Sequence, residues 1–285
     1  MELVRRVRSM REICRQARTK GQRIGFVPTM GYLHQGHLAL IRKMSEQTDV
    51  VVVSIFVNPT QFGPGEDFER YPRDLTRDSD LCIREGVDYL FAPGANEIYP
   101  PGPRTYVEIP DLSARLEGAS RPGHFRGVAT VVLKLLNIVQ PHAVAFGQKD
   151  AQQAIVIRRL VEDLMLDVEL HIVPTVRDER GLALSSRNKY LTSEFYEAAL
   201  AIPRSLEAAR HVVGEGQTRP EEVLAAVREV LLADPLLKID YVELVDPTTM
   251  EPVELIEGPV LLLVAVAVGE TRLLDNATIQ PSEDR

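Results

Sequence analysis

Cysteine is scarce. The 285 residues hold two, Cys14 and Cys82, far apart and neither beside a histidine or a second cysteine. That pattern argues against a disulfide framework or a thiolate zinc site and fits free buried thiols in a reducing compartment. Basic charge is also short: 33 Lys+Arg stand against 41 Asp+Glu, a net charge of −8, with no Lys/Arg block to offset the acidity. A nucleic-acid partner gripped by a basic face is therefore not expected. Long apolar runs are missing as well. The longest, 260–268, falls far below the roughly 20 residues that span a bilayer, and no membrane partner is expected. Residues 1–6 lead straight into an arginine-rich amphipathic helical pattern, without the apolar stretch of a secretory signal. No repeat or low-complexity tract stands out. The expectation is a cytoplasmic protein.

What is present is the composition of a globular chain, 45% hydrophobic and 26% charged, long enough for about two domains. Strand-like runs at 24–27, 50–58, 89–92, 143–146 and 168–173 alternate with helical patterns at 37–46, 74–85, 128–138 and 150–164. Strands that are almost wholly apolar, joined by crossover helices, predict an α/β architecture, a Rossmann-like parallel sheet with helices on both faces. The character changes near Val176. A charged turn at 177–181 precedes two helical patterns, 193–213 and 220–232, and strands at 239–245, 260–268 and 271–274. These predict a smaller C-terminal α+β domain, so the expected domains are 1–175 and 176–285.

Ligands on such sheets bind beyond the carboxyl ends of the strands, and three polar segments fall there. The first is Pro28-Thr29-Met30-Gly31-Tyr32-Leu33-His34-Gln35-Gly36-His37. A strand precedes it, and Leu38, Leu40, Ile41 and Met44 follow at helical spacing, so His34 and His37 sit at a strand-to-helix turn. Unpaired backbone N–H groups and the positive helix end favour an anion there, and Gly36 allows close approach to the backbone. Two ordinary loop histidines would also fit so short a pattern.

The second segment, Gly147-Gln148-Lys149-Asp150, ends an apolar strand and opens a helix. A lysine there suits a polyphosphate; Asp150 either caps the helix or supports Mg²⁺. The third, Asn58-Pro59-Thr60-Gln61-Phe62, sets two amides around a rigid proline and suits a small hydroxy acid. Gln153, one turn into the next helix, either faces Gln61 across a pocket or faces solvent. Residues 63–67 are polar and flexible, a candidate lid. Ser185-Ser186-Arg187-Asn188 offers hydroxyls, a guanidinium and an amide to phosphate oxygens. His124, Arg126, Tyr71 and Asp78 stay undecided on local grounds.

Taken together, Pro28–His37, Phe56–Phe62, Tyr71-Pro72-Arg73, His124–Val128, the Gly147-x-Lys149-Asp150-x-x-Gln153 segment and Leu184–Asn188, in order from about residue 20 to 195, resemble the pantothenate synthetase (pantoate–β-alanine ligase) family. This family belongs to the nucleotidylyltransferase-like superfamily with the His-x-Gly-His motif. The resemblance implies ATP-dependent condensation of (R)-pantoate with β-alanine to pantothenate, AMP and pyrophosphate through a pantoyl-adenylate, a step toward coenzyme A. It implies Mg²⁺, a homodimer and a C-terminal domain closing over the ATP site. By its motifs, His34, His37, Lys149 and Arg187 are the catalytic candidates. ATP contacts fall on Pro28, Thr29, Met30, Gly31, His34, Gly36, His37, Gly147, Lys149, Asp150, Val176, Leu184, Ser185, Ser186 and Arg187. Pantoate falls to Met30, Asn58, Gln61 and Gln153, and a metal role to Asp78. Gln148 and Tyr32 depart from the glutamate and alanine common in the family; the bulk of Tyr32 would narrow the pocket mouth.

Three other readings share some of these features. A nucleotidylyltransferase that keeps the nucleotide on its product would use the histidine turn but not the amide pocket. A synthetase acting on tRNA fits poorly with an acidic chain. A silent nucleotide-binding regulator would not require intact Lys149, Arg187 and both histidines.

Overall fold

A strand apolar at every position must be covered on both faces, because successive side chains point opposite ways. The four inner strands of one six-stranded parallel sheet come close to this pattern, β2 (Ile24–Thr29), β3 (Val50–Ile55), β4 (Tyr89–Phe91) and β5 (Ala143–Gly147), while β1 (Glu2–Val4) and β6 (Glu169–Val173) are its more exposed edges. Their order is β1-β4-β3-β2-β5-β6. The computed structural model describes residues 1–102 and 104–281. The chain divides into two units, Met1–Gln148 with Gln152–Pro174, and Lys149–Ala151 with the chain from Thr175.

The alternation is visible in the packing of the first unit. Ile24 and Phe26, Val50 and Val52, and Val144 and Phe146 share a core with helices α1 (Val7–Thr19), α4 (His124–Val139) and α5 (Ala151–Asp163). The intervening Val27, Val51, Val53, Ala143 and Ala145 pack instead on α2 (Gln35–Gln47) and α3 (Leu75–Arg84). Helices therefore cover both faces, as the apolar runs predict. Strand order reverses between β2 and β5, the neighbours from which the sheet grows outward in both directions. The histidine turn leaves the carboxyl end of β2 at this switch point, where open α/β sheets hold ligands. Among the described residues no helix is long and apolar enough to cross a membrane.

The second unit is an antiparallel sheet of β7 (Leu237–Val245), β8 (Val260–Val268) and β9 (Thr271–Ile279). Its core joins Leu262, Val264 and Val266 of β8 to Leu206 and Ala209 of α7 (Ala201–Gly214) and to Val223 and Val227 of α8 (Pro220–Leu232).

Several boundaries differ from the sequence expectation for local reasons. Residues 2–4 are an edge strand rather than the start of a helix: Glu2, Leu3 and Val4 pair with Tyr89, Leu90 and Phe91. Strand β2 runs on through Pro28, a position that β5 does not pair, so the missing N–H is tolerated. Strand β3 stops at Ile55 because Pro59 opens a 3₁₀ turn, Pro59–Gln61. The helix expected over 193–213 breaks into α6 (Ser193–Ala199) and α7, whose first turn contains Pro203. Proline has no N–H to continue the ladder from α6 but fits a helix's first turn. Strand β9 extends past 274, pairing along β8 until Ile279 meets Val260.

Candidate active site

In the first unit, the two histidines cap the helix they begin. His34 is the N-cap of α2; its Nδ1 accepts the Gly36 N–H at 3.1 Å, and His37 Nδ1 accepts the His34 N–H at 3.3 Å. A strand-to-helix turn is expected to leave backbone amides open to an anion. The imidazoles take them instead, satisfying orphan donors of the first turn. The consequence for a ligand lies on the other nitrogen. With Nδ1 accepting on both rings, the neutral tautomer carries its proton on Nε2, which makes two N–H donors at a helix N-terminus. The ring centroids lie 4.1 Å apart. Gly36 is needed at this point because a Cβ would come within 2.9 Å of the His34 ring.

The turn before the histidines is held from α3. Asp78 is buried, and its carboxylate accepts the N–H groups of Tyr32 at 2.6 Å and Leu33 at 2.8 Å, with Arg77 Nη1 at 3.3 Å. Burial raises the Asp78 pKa, against the pull of those amides and of Arg77. Tyr32 has φ of 54°, a left-handed conformation that a bulky residue adopts only when held, and the Asp78 bond supplies the hold. Arg77 completes the clasp, donating to the Leu33 carbonyl at 2.8 Å and stacking on the Tyr32 ring. Thr29 closes the other side, donating to the Ser54 carbonyl and accepting the Gly31 N–H. A carboxylate committed to two backbone amides is a loop anchor, and the metal role expected of Asp78 gains no support from this arrangement. Among the described residues no three His, Cys, Asp or Glu side chains converge to cage a metal ion.

The amide turn after β3 is built around Asn58. Its Nδ2 donates to Gln61 Oε1 at 3.0 Å and to the Gly127 carbonyl at 3.1 Å, while Oδ1 accepts from Thr60 and from the Tyr99 hydroxyl. Asn58 is thus fully engaged by the protein. Gln61 is oriented by it: with Oε1 accepting from Asn58, the Gln61 NH₂ points to the Met30 sulfur at 3.1 Å. A thioether is a weak acceptor, so this NH₂ is held by the weakest partner in the turn, beside two residues expected to meet pantoate. Gly127 lets α4 approach, since a Cβ would lie 2.3 Å from the Thr60 carbonyl oxygen.

His124 and Arg121 fix the same turn from its backbone side. His124 Nδ1 donates to the Gln61 carbonyl at 2.9 Å, and its Nε2 accepts from Arg121 at 3.2 Å. Burial, then the charge of Arg121, lowers the His124 pKa to about 4. Arg121 also makes a two-pronged ion pair with Glu66, at 2.9 and 2.6 Å. Burial works to raise the Glu66 pKa, but the Arg121 hydrogen bond and charge outweigh it and lower the pKa. The segment expected to act as a lid is thus tethered at Glu66. Arg126 stacks on Tyr106, and Tyr71 packs edge-on against Phe62. Gln153 is half-buried in the first turn of α5; its neighbour Gln152 is wholly committed to the carbonyls of Leu112 and Arg115 and the Glu117 N–H.

In the second unit, Lys149 and Asp150 lie in the 3₁₀ turn between Gly147 and α5, with Lys149 Nζ 3.4 Å from the Asp150 carboxylate. Val176 and Leu184 pair through their backbones, Leu184 N–H to Val176 carbonyl at 2.9 Å, and Arg177 bridges Ala183. This hairpin delivers Ser185, whose Oγ caps the 3₁₀ turn Ser186–Tyr190 by accepting the Arg187 N–H at 3.2 Å. Arg177 pairs with buried Asp275 through both guanidinium NH₂ groups at 2.6 and 2.9 Å, and that bond raises the Arg177 pKa. Asn276 Nδ2 donates to the Lys149 carbonyl at 2.9 Å. No local sequence signal marked Asp275, Asn276 or Arg121, since each acts on a partner far away in the chain.

The Pantoate-beta-alanine ligase family matches this chain over residues 2–278. The chain is 54% identical over 273 residues to pantothenate synthetase of Pelotomaculum thermopropionicum, covering 96% of this chain and 97% of that protein. It is 52% identical over 283 residues to that of Moorella thermoacetica, covering 99% and 100%. Among solved structures it resembles pantothenate synthetase from Thermus thermophilus, with a TM-score of 0.94 at 48% identity, covering 99% and 100% of the two chains. It also resembles pantoate-beta-alanine ligase from Francisella tularensis complexed with beta-gamma ATP and beta-alanine, with a TM-score of 0.81 at 37% identity, covering 98% and 97%.

Proposed function

The chain belongs to the pantoate–β-alanine ligase family, and on that premise we propose that it joins (R)-pantoate to β-alanine, converting ATP to AMP and pyrophosphate through a pantoyl-adenylate. The observation that carries the chemistry is the reciprocal histidine cap, which places two imidazole N–H donors at a helix N-terminus. Phosphate oxygens are the natural acceptors for that pair.

In the first step a pantoate carboxylate oxygen attacks the α-phosphorus, the bond to the bridging oxygen breaks, and pyrophosphate leaves. Both reactants are anionic, so alignment and charge neutralisation supply most of the catalysis. His34, His37, Lys149 and Arg187 touch the phosphates and stabilise charge developing on them. Pro28, Thr29, Met30, Gly31, Gly36, Gly147, Asp150, Val176, Leu184, Ser185 and Ser186 complete the ATP contacts. Met30, Gln61 and Gln153 touch pantoate; Asn58 serves pantoate by orienting Gln61. In the second step the β-alanine amine attacks the acyl carbon, the carbon–oxygen bond to AMP breaks, and the amine's proton passes to solvent. AMP is a good leaving group and needs no dedicated acid.

Magnesium enters with the triphosphate in this reading, because Mg²⁺ commonly binds substrate phosphates and few carboxylates. Asp150, beside Lys149, is the carboxylate placed to support it, and the ion's contribution when bound is to neutralise phosphate charge. In this reading 1–175 is the nucleotide- and pantoate-binding domain, and 176–285 is the smaller domain that adds Val176 and Leu184–Arg187 to the ATP contacts. The assembly proposed with this reading is a homodimer, for which the family resemblance is the support. Cytoplasmic residence is supported by Cys14 and Cys82, both free and buried, their thiol pKa values pushed up to about 12 by burial.

The test is isotopic. Pantoate labelled with ¹⁸O in its carboxylate should pass one labelled oxygen to AMP. AMP without label would exclude the acyl-adenylate.

A further inference from the structure

Strand β9 is apolar where it faces the core, through Leu273, Ala277 and Ile279, yet it carries a buried aspartate and a buried asparagine side by side. Burying such groups is costly unless each finds a partner. Both find one, and the partners are the two segments assigned to ATP. Asp275 takes both prongs of Arg177, the residue after Val176 in the hairpin that delivers Ser185, Ser186 and Arg187. Arg177 also donates to the Gly181 carbonyl at 3.0 Å, closing the turn of that hairpin. Asn276 donates to the Lys149 carbonyl, 127 residues away. The two anchors are coupled, because the Asn276 N–H donates to Asp275 Oδ1 at 2.8 Å.

We propose that Asn276 is a positioning residue for adenylation, acting through Lys149, and that with Asp275 it sets the spacing of the two ATP segments. The role rests on the ATP assignment of Lys149 given above. Physically, the bond to the carbonyl fixes the peptide plane that follows Lys149, and so the direction in which its side chain leaves the 3₁₀ turn. A long, flexible lysine then starts from one backbone orientation, and less is lost when its ammonium settles on a phosphate. A buried asparagine that merely satisfied itself would have no reason to act through one particular side chain.

Coupling to Lys149 is therefore the readout. Single-turnover formation of the adenylate is measured in wild type, Asn276→Ala, Lys149→Ala and the double variant, at saturating MgATP and pantoate. The expected result is a loss of about tenfold for Asn276→Ala in wild type and less than twofold in the Lys149→Ala background, the non-additivity of residues acting as a unit. Melting temperatures are taken alongside. Asn276→Asp, which keeps the shape and removes the donating NH₂, replaces the alanine variant if that fails to fold, with the same expectation. An equal fold-loss in both backgrounds, or no loss in wild type, overturns the positioning role. A normal rate in Lys149→Ala alone overturns instead the assignment of Lys149 on which it rests.

Discussion

Asn58 Nδ2 donates to Gln61 Oε1 at 3.0 Å, and this one bond decides which end of the Gln61 amide faces Met30. A glutamine amide can present a donor or an acceptor; here the acceptor is taken within the turn and the donor is turned toward Met30. Pantoate, with a carboxylate and hydroxyls, gains from a fixed donor. Gln61→Ala should therefore weaken pantoate far more than ATP, since polar groups of the bound acid lose a partner. Asn58→Ala should raise the pantoate KM in the same direction, about tenfold, and add little in the Gln61→Ala background. Equal losses for pantoate and ATP would contradict both assignments.

Lys149 should carry the charge stabilisation of the first half-reaction. Lys149→Ala is expected to lower the rate of adenylate formation at least about a hundredfold, the scale of removing one strong electrostatic stabiliser, ~2.7 kcal/mol. Rapid-quench measurement at saturating substrates checks this directly. A near-normal rate would remove Lys149 from the mechanism.

Asp78 separates a loop anchor from a metal ligand. Asp78→Asn keeps the shape but weakens the bonds to the Tyr32 and Leu33 amides, and should cost stability of about 1–3 kcal/mol. It should also raise the ATP KM, because the strained Tyr32 turn leads into the histidines. The Mg²⁺ concentration for half-maximal activity should stay where it is. A shift of that concentration by tenfold or more would support a metal role for Asp78 instead.

His124 should mark the pH dependence of stability. Its pKa is lowered to about 4 in the folded chain, against about 6.5 unfolded. Between those values the unfolded state binds more protons, so stability rises with pH across that window and is lost as pH falls through it. The full effect is about 3 kcal/mol. His124→Asn should flatten this part of the profile relative to wild type in denaturant unfolding at pH 4–6.5. An unchanged slope would show that His124 titrates normally in the folded protein.

The parallel sheet was legible because its inner strands are apolar at nearly every position, and only cover on both faces explains that pattern. The histidine turn was legible because strand, glycine turn and helical spacing are all local. The edge strand at residues 2–4 was not, since three residues carry no usable periodicity and pairing with β4 decides their state. Asn58 reads as a ligand residue in sequence. Only the approach of Gly127, 69 residues later, shows that its side chain is already committed. The same holds for Asp78 and Tyr32, and for Asn276 and Lys149. Sequence order announces which polar groups stand at strand ends; the fold decides which of them are occupied in holding the others.

The most direct measurement is AMP release from MgATP in the presence of pantoate, β-alanine, both or neither. Strong release only with both substrates is the expected result. No release with both, in a protein that still binds ATP, would contradict the ligase reaction and return the site to a nucleotide-binding role without this chemistry.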